Sequence, residues 1–120
     1  MNYFPESELA CKCGCGLCNF SPFLLKVINE IRRRLGRALI AKSACRCIPH
    51  NKAEGGEETS DHLPNEEGIC EGVDLKAIHS HTRYIVISTA LEYGITRIGG
   101  RYKTFIHLGI AERNPKEVIW

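Results

Sequence analysis

Leu24, Val27, Ile28, Ile31 and Leu35 recur at spacings of three and four, which predicts an amphipathic helix. Ser21-Pro22 opens it: serine accepts a backbone N–H as N-cap, and proline at the first helical position loses no needed donor. Gly36 ends it in a left-handed conformation. Arg32, Arg33 and Arg34 fall in the last turn, where the helix dipole favours cations, so the arginine run has a structural explanation. Ala38-Leu39-Ile40-Ala41 then predicts a short buried strand.

A polar connection follows from about Lys42 to Val73, punctuated by Pro49, Gly55-Gly56, Pro64, Gly68 and Gly72. A loop longer than ~12–15 residues inside a domain is usually functional or disordered. In the next segment, from about Lys76 to Tyr93, Tyr84-Ile-Val-Ile has strand propensity, but the length and the terminal Gly94 predict a helix. Ile95–Ile98 and Thr104–Ile110 predict strands separated by Gly99-Gly100. In the second, Ile106, Leu108 and Ile110 share one face, and Phe105, His107 and Gly109 the other. Glu117–Trp120 predicts a last strand. The expected architecture is α+β, a small antiparallel sheet with helices packed on one side, in a single domain over residues 1–120.

Composition narrows the class. Hydrophobic residues at 43% and charged residues at 25% match a globular chain and exclude a disordered or collagen-like one. The longest uncharged apolar-rich stretch, Tyr84–Leu91, is far short of the ~20 residues a membrane helix needs. The first eight residues have neither the basic start nor the apolar core of a secretory signal, so synthesis in the cytoplasm is expected.

The net charge of +2 conceals three blocks: +6 over residues 1–52, −8 over 53–75 and +4 over 76–120. An acidic segment between basic flanks suits a cation better than a nucleic-acid surface, and a solvated acidic loop is the plain alternative. Seven cysteines without an export signal argue against a disulfide framework. Cys11, Cys13, Cys15 and Cys18 are dense enough for a soft metal, but they lack paired C-x-x-C knuckles, so reduced thiols near a turn are the first reading. Cys45 and Cys47 flank Arg46 and need further ligands to share a metal.

Histidines occur at 50, 62, 79, 81 and 107. His79 and His81 point to different helix faces and read as surface residues. By itself, His107 between apolar neighbours reads as a core residue. His62 and Asp74 lie in the acidic segment, and two imidazoles with one carboxylate leave an open zinc position, as catalytic sites do.

A run of motifs adds to this. Phe4-Pro-Glu-Ser-Glu-Leu-Ala-Cys11, Ser43-Ala-Cys-Arg-Cys-Ile-Pro-His-Asn51 with Gly55-Gly56, Ser60-Asp-His62, Val73-Asp74-Leu75 and Phe105-Ile-His107-Leu occur in that order. Together they resemble the zinc D-alanyl-D-alanine carboxypeptidase family, compact phage and bacterial peptidoglycan peptidases of the hedgehog/DD-peptidase fold. The resemblance covers nearly the whole chain. It implies Zn2+ held by His62, Asp74 and His107, Arg46 gripping a substrate carboxylate or carbonyl, and Ser60 orienting the site by hydrogen bonding. Without it, Arg46 reads as a solvated loop arginine.

Three departures from the family stand out. Eleven residues separate His62 from Asp74, more than the family's core form has, so about Leu63–Glu71 is an insertion. Ala44 replaces a usual glycine. The carboxylate or histidine that the family places near its third ligand is absent, because Thr104 and Gly109 occupy those positions. The candidate general bases are Asp61, Glu66, Glu67, Glu71 and Glu112; the three inserted glutamates are expected near the metal because their loop is tied to ligands at both ends.

The resemblance therefore implies a monomeric metallopeptidase cutting a stem or cross-bridge peptide of peptidoglycan as a carboxypeptidase or endolysin-type endopeptidase. It would act on the cell wall after phage-type release or from a virion, without nucleic-acid or membrane partners. The alternative from another class is a non-catalytic zinc module that binds cell-wall peptide or a protein.

Overall fold

The computed structural model describes all 120 residues. The predicted first long helix forms over Pro22–Leu35, with the Leu24 N–H donating to the Ser21 Oγ at 3.2 Å and Gly36 closing it at φ 74°. Its apolar stripe, Leu24, Val27, Ile28 and Ile31, is fully buried. A one-turn helix, α1 (Glu6–Leu9), precedes this α2, and the segment that combined strand propensity with helix length is helical over Ser80–Glu92. No helix is long and apolar enough to cross a membrane.

Five strands form one sheet: β1 (Ala41–Ser43), β2 (Gly72–Lys76), β3 (Arg97–Gly99), β4 (Phe105–Gly109) and β5 (Val118–Ile119), in the order β1-β2-β4-β3-β5. The pairs β1–β2, β2–β4 and β3–β4 are antiparallel, and the edge strand β5 runs parallel to β3. The fold is thus α+β, with helices packed against a largely antiparallel sheet. Val73 and Leu75 of β2 and Ile106 and Leu108 of β4 point into the core with the α2 stripe. The opposite face of the same two strands carries Asp74 and His107, which are direct cross-strand partners.

The chain departs from its sequence pattern between residues 38 and 76. The first strand begins at Ala41 rather than Ala38, and Ala38 and Ile40 are exposed. The polar connection contains a short helix, α3 (Ile48–Ala53), and the start of β2, which runs on to Lys76. Six residues are too few to display a helical period, and Gly72 and Asp74 interrupt the apolar run that would mark β2 as a strand. The helix over Ser80–Glu92 is α4, with His79 and His81 exposed at its start.

Candidate metal centre

Three donors converge on the polar face of the sheet. Asp74 and His107 arrive by the β2–β4 register, and His62 comes from the loop before β2. One ligand atom from each lies within 4.8 Å of the others. Asp74 Oδ1 is 3.2 Å from His62 Nε2 and 2.8 Å from His107 Nδ1. His62 Nδ1 lies 2.7 Å from the Ala44 carbonyl, which takes its proton and leaves Nε2 facing inward as a lone-pair donor. Two imidazole nitrogens and one carboxylate oxygen, oriented this way, fit a single metal ion of the zinc type with coordination positions left over.

His107 has its own support. Its outer nitrogen, Nε2, lies 2.8 Å from Asp61 Oδ2. The same oxygen accepts from Arg97 Nε at 2.8 Å, and Asp61 Oδ1 accepts from Asn114 Nδ2 at 3.0 Å. Asp61 is 1% exposed, so all its hydrogen bonding is internal. The carboxylate rests on a cross-strand pair of glycines, Gly72 and Gly109. A Cβ at Gly72 would stand 2.6 Å from Asp61 Cβ, and one at Gly109 would overlap the carboxylate itself. Both positions are glycine because another chain segment lies directly against the backbone.

Burial pushes the carboxyls of Asp61 and Asp74 up, but hydrogen bonds outweigh it and hold both well below the usual carboxylate range. For Asp61 these come from His107, Asn114 and Arg97; for Asp74 they come from His107 and His62. His107 is pushed down by burial and raised further by Asp61 and Asp74, so its net shift is upward. Asp74 is therefore held as a carboxylate, the form that can donate to a cation.

Arg46 borders the same site. Its backbone N–H donates to the His62 carbonyl at 3.0 Å, Nε donates to Ser43 Oγ at 3.1 Å and Nη1 to Asn51 Oδ1 at 3.3 Å. Nη2 lies 3.7 Å from Asp74 Oδ2, and the side chain is 16% exposed. This is a positioned guanidinium with donors to spare, unlike a solvated loop arginine. Asn51 is buried and also donates to the Glu57 carbonyl at 2.9 Å, while a Cβ at Gly56 would collide with its amide. Ser60 Oγ accepts from the His62 backbone N–H at 3.2 Å, which fixes the turn that presents the imidazole.

The cleft above these groups has a volume of about 380 Å³. Tyr102, Phe105 and Trp120 form an aromatic wall: Tyr102 stacks on Phe105 at 4.4 Å, and Trp120 Nε1 donates to Tyr102 Oη at 3.0 Å. Glu54 and Glu57 line its rim. Glu66, Glu67, Glu71 and Glu112 do not; with Asn65 and Arg113 they line a separate acidic recess. The inserted loop folds on itself instead of over the metal donors. Asn65 Oδ1 accepts from the N–H groups of Glu67 and Ile69, Asn65 Nδ2 donates to Glu71, and Cys70 bonds back to Asn19. Tethering at both ends did not bring these carboxylates to the site. Asp61 is at the site, but its oxygens are already committed to His107, Arg97 and Asn114.

Several contributors carried no sequence signal. Arg97, Asn114 and Trp120 belong to none of the motifs: Arg97 and Asn114 reach Asp61 from 36 and 53 positions away, and Trp120 follows β5, which pairs with β3. Glu54 and Glu57 flank the Gly55-Gly56 motif and were the legible hint.

An α+β domain with a His/Asp/His metal centre under a polar cleft has the construction of a metal-dependent hydrolase. Residues 2–109 match the family model described as Peptidase M15, which is nearly the whole chain, and the protein belongs to that peptidase family. No curated protein and no solved structure matched.

Proposed function

We propose that this chain is a zinc peptidase that hydrolyses a peptide bond in bacterial peptidoglycan, as a D-alanyl-D-alanine carboxypeptidase or as an endopeptidase of the endolysin type. The observation that carries the reading is the convergence of His62, Asp74 and His107 below a cleft bordered by Arg46, within an M15 domain. His62, Asp74 and His107 would hold a zinc ion, which would supply Lewis acidity towards the scissile carbonyl and a water.

The chain's own groups supply the rest. Arg46, held by Ser43 and Asn51, presents its guanidinium to a substrate carboxylate or carbonyl, which a planar fork grips in two places. Asp61 is a positioning residue that fixes the His107 ring through Nε2. Glu57 is the proton acceptor: it lines the cleft, whereas the neighbouring Glu54 has its Oε1 3.7 Å from His50 Nε2. The Tyr102–Phe105–Trp120 wall seats the peptide and limits water on that side. The substrate is extracellular, so the protein reaches the wall by phage- or prophage-type release or as part of a virion, and works as a monomer.

Purified muropeptides incubated with the zinc-loaded protein and analysed by mass spectrometry test this. New products should identify one cleaved bond, either a terminal D-Ala release or a cut within the stem or cross-bridge. Retention of peptide without any product would replace the enzyme by a binding module.

A further inference from the structure

Seven cysteines are present and none forms a disulfide. Four of them meet at one place: one Sγ from each of Cys11, Cys13, Cys15 and Cys47 lies within 4.8 Å of the others. We propose that these four thiols form a second, structural metal site, a closed tetrahedral zinc centre independent of His62, Asp74 and His107.

The separations match that geometry. Thiolates at a Zn–S distance of ~2.3 Å stand at tetrahedron corners ~3.8 Å apart. Cys11 and Cys13 are 3.4 Å apart, Cys13 and Cys47 3.6 Å, and Cys11 and Cys47 3.8 Å. A disulfide needs ~2.05 Å and joins only two sulfurs, which leaves the convergence of the other two without a purpose. Four thiolates are the donor set of a closed site with no open position for substrate.

The local backbone is built for this arrangement. Gly14 and Gly16 have φ of 82° and 91°, and they turn the chain so that Cys13 and Cys15 fold back beside Cys11. The Cys11 N–H donates to the Leu17 carbonyl at 2.7 Å and the Gly14 N–H to the Cys11 carbonyl at 3.2 Å, closing the loop. The Cys47 N–H donates to Cys11 Sγ at 3.4 Å, the type of contact that stabilises a sulfur carrying negative charge. Cys18, the fourth member of the sequence cluster, is excluded because its Sγ faces the Glu6 carbonyl at 3.5 Å. Cys45 and Cys70 are buried in the core. The fourth ligand thus comes from 32 positions beyond Cys15, out of reach of any spacing motif.

The location gives the site a purpose. Cys47 is the N-cap of α3 and the neighbour of Arg46, so metal there ties the N-terminal loop to the segment that carries the cleft guanidinium.

Cobalt substitution separates the two centres, because only thiolate ligands give an intense sulfur-to-cobalt charge-transfer band in the near ultraviolet. Reduced wild-type protein loaded with Co(II) should show that band, and His107→Ala should keep it while losing one equivalent of metal. Cys47→Ser should remove most of it and Cys18→Ser should leave it unchanged. X-ray absorption of zinc-loaded His107→Ala, with every cysteine intact, should find four sulfur scatterers at ~2.3 Å. That measurement decides the matter if Cys47→Ser fails to fold. Absence of the band in wild type, a band lost in Cys18→Ser but kept in Cys47→Ser, or a sulfur-free zinc shell would each overturn the proposal.

Discussion

Asp61 Oδ2 holds the outer nitrogen of His107 at 2.8 Å, across a glycine that leaves room for it. The carboxylate expected beside the third metal donor is absent from β4, where Gly109 stands, and one arrives from the loop before His62 instead. The two neighbours in sequence divide the work: His62 turns its imidazole into the centre, and Asp61 steadies the ring on the other side. Asp61→Asn keeps the shape but loses the charge that raises the basicity of His107. It should weaken metal affinity about 10–100-fold, read by chelator competition, with little change in the circular dichroism spectrum. Unchanged affinity would make Asp61 a packing residue only.

Gly109→Ala tests the seat directly. The new methyl would overlap the Asp61 carboxylate, so one of them must move. Thermal unfolding should show a loss of about 1–3 kcal/mol, the usual range for overpacking, together with the metal-affinity loss of Asp61→Asn. Wild-type stability would show that the carboxylate has another place to go.

The depressed carboxyl of Asp61 also sets a pH dependence. A group whose folded pKa lies below its unfolded value contributes stability that is fully present above the unfolded value, ~3.9 for aspartate, and is lost as pH falls through the folded one. In metal-free protein, the stability difference between wild type and Asp61→Asn should therefore shrink once the pH drops below ~4, and it should also shrink as the pH rises through the raised pKa of His107, whose charge Asp61 supports. A gap that widens as the pH falls below ~4 would contradict the sign.

Arg46 is expected to act on substrate. Arg46→Ala should reduce turnover while leaving zinc content unchanged, and Arg46→Lys should rescue it poorly, because an ammonium cannot reproduce the two-pronged contact. Full activity in the alanine variant would return Arg46 to an ordinary loop residue.

The cleft carboxylates separate from the inserted ones. Glu57→Gln should cost about 10²–10⁴-fold in rate with zinc retained, whereas Glu66→Gln, Glu67→Gln and Glu71→Gln, in the separate recess, should change it little. The opposite ranking in steady-state rates would move the proton acceptor to the insertion.

Local chemistry was legible in the sequence; distant convergence was not. The cap at Ser21, the αL glycine at 36 and the period of the α2 stripe are encoded within a few residues and appear as expected. The alternation in β4 put His107 on the face away from Ile106 and Leu108, but by itself the residue read as core; β2–β4 pairing puts Asp74 beside it and makes it part of the metal cluster. The insertion, about residues 63–71, misled because a tether at both ends fixes distance and not direction: Asn65 turns the loop back on itself. The thiolate cluster misled in the same way, since chain proximity favoured Cys18 where the fold brings Cys47. Arg97 and Asn114 meet Asp61 from 36 and 53 positions away, and Trp120 is placed by the parallel pairing of β5 with β3, which no local pattern reports.

The central claim is that the His62–Asp74–His107 centre hydrolyses peptide, and the most direct measurement follows the oxygen of water into the product. Muropeptide is digested in heavy-oxygen water by zinc-loaded wild type and by His107→Ala, and the new carboxyl terminus is weighed by mass spectrometry. One heavy oxygen per cleaved bond with wild type, and no cleavage with His107→Ala or with chelator-treated protein, is the predicted result. Cleavage that survives His107→Ala and chelation, or a wild type that binds muropeptide and never incorporates the label, would contradict it.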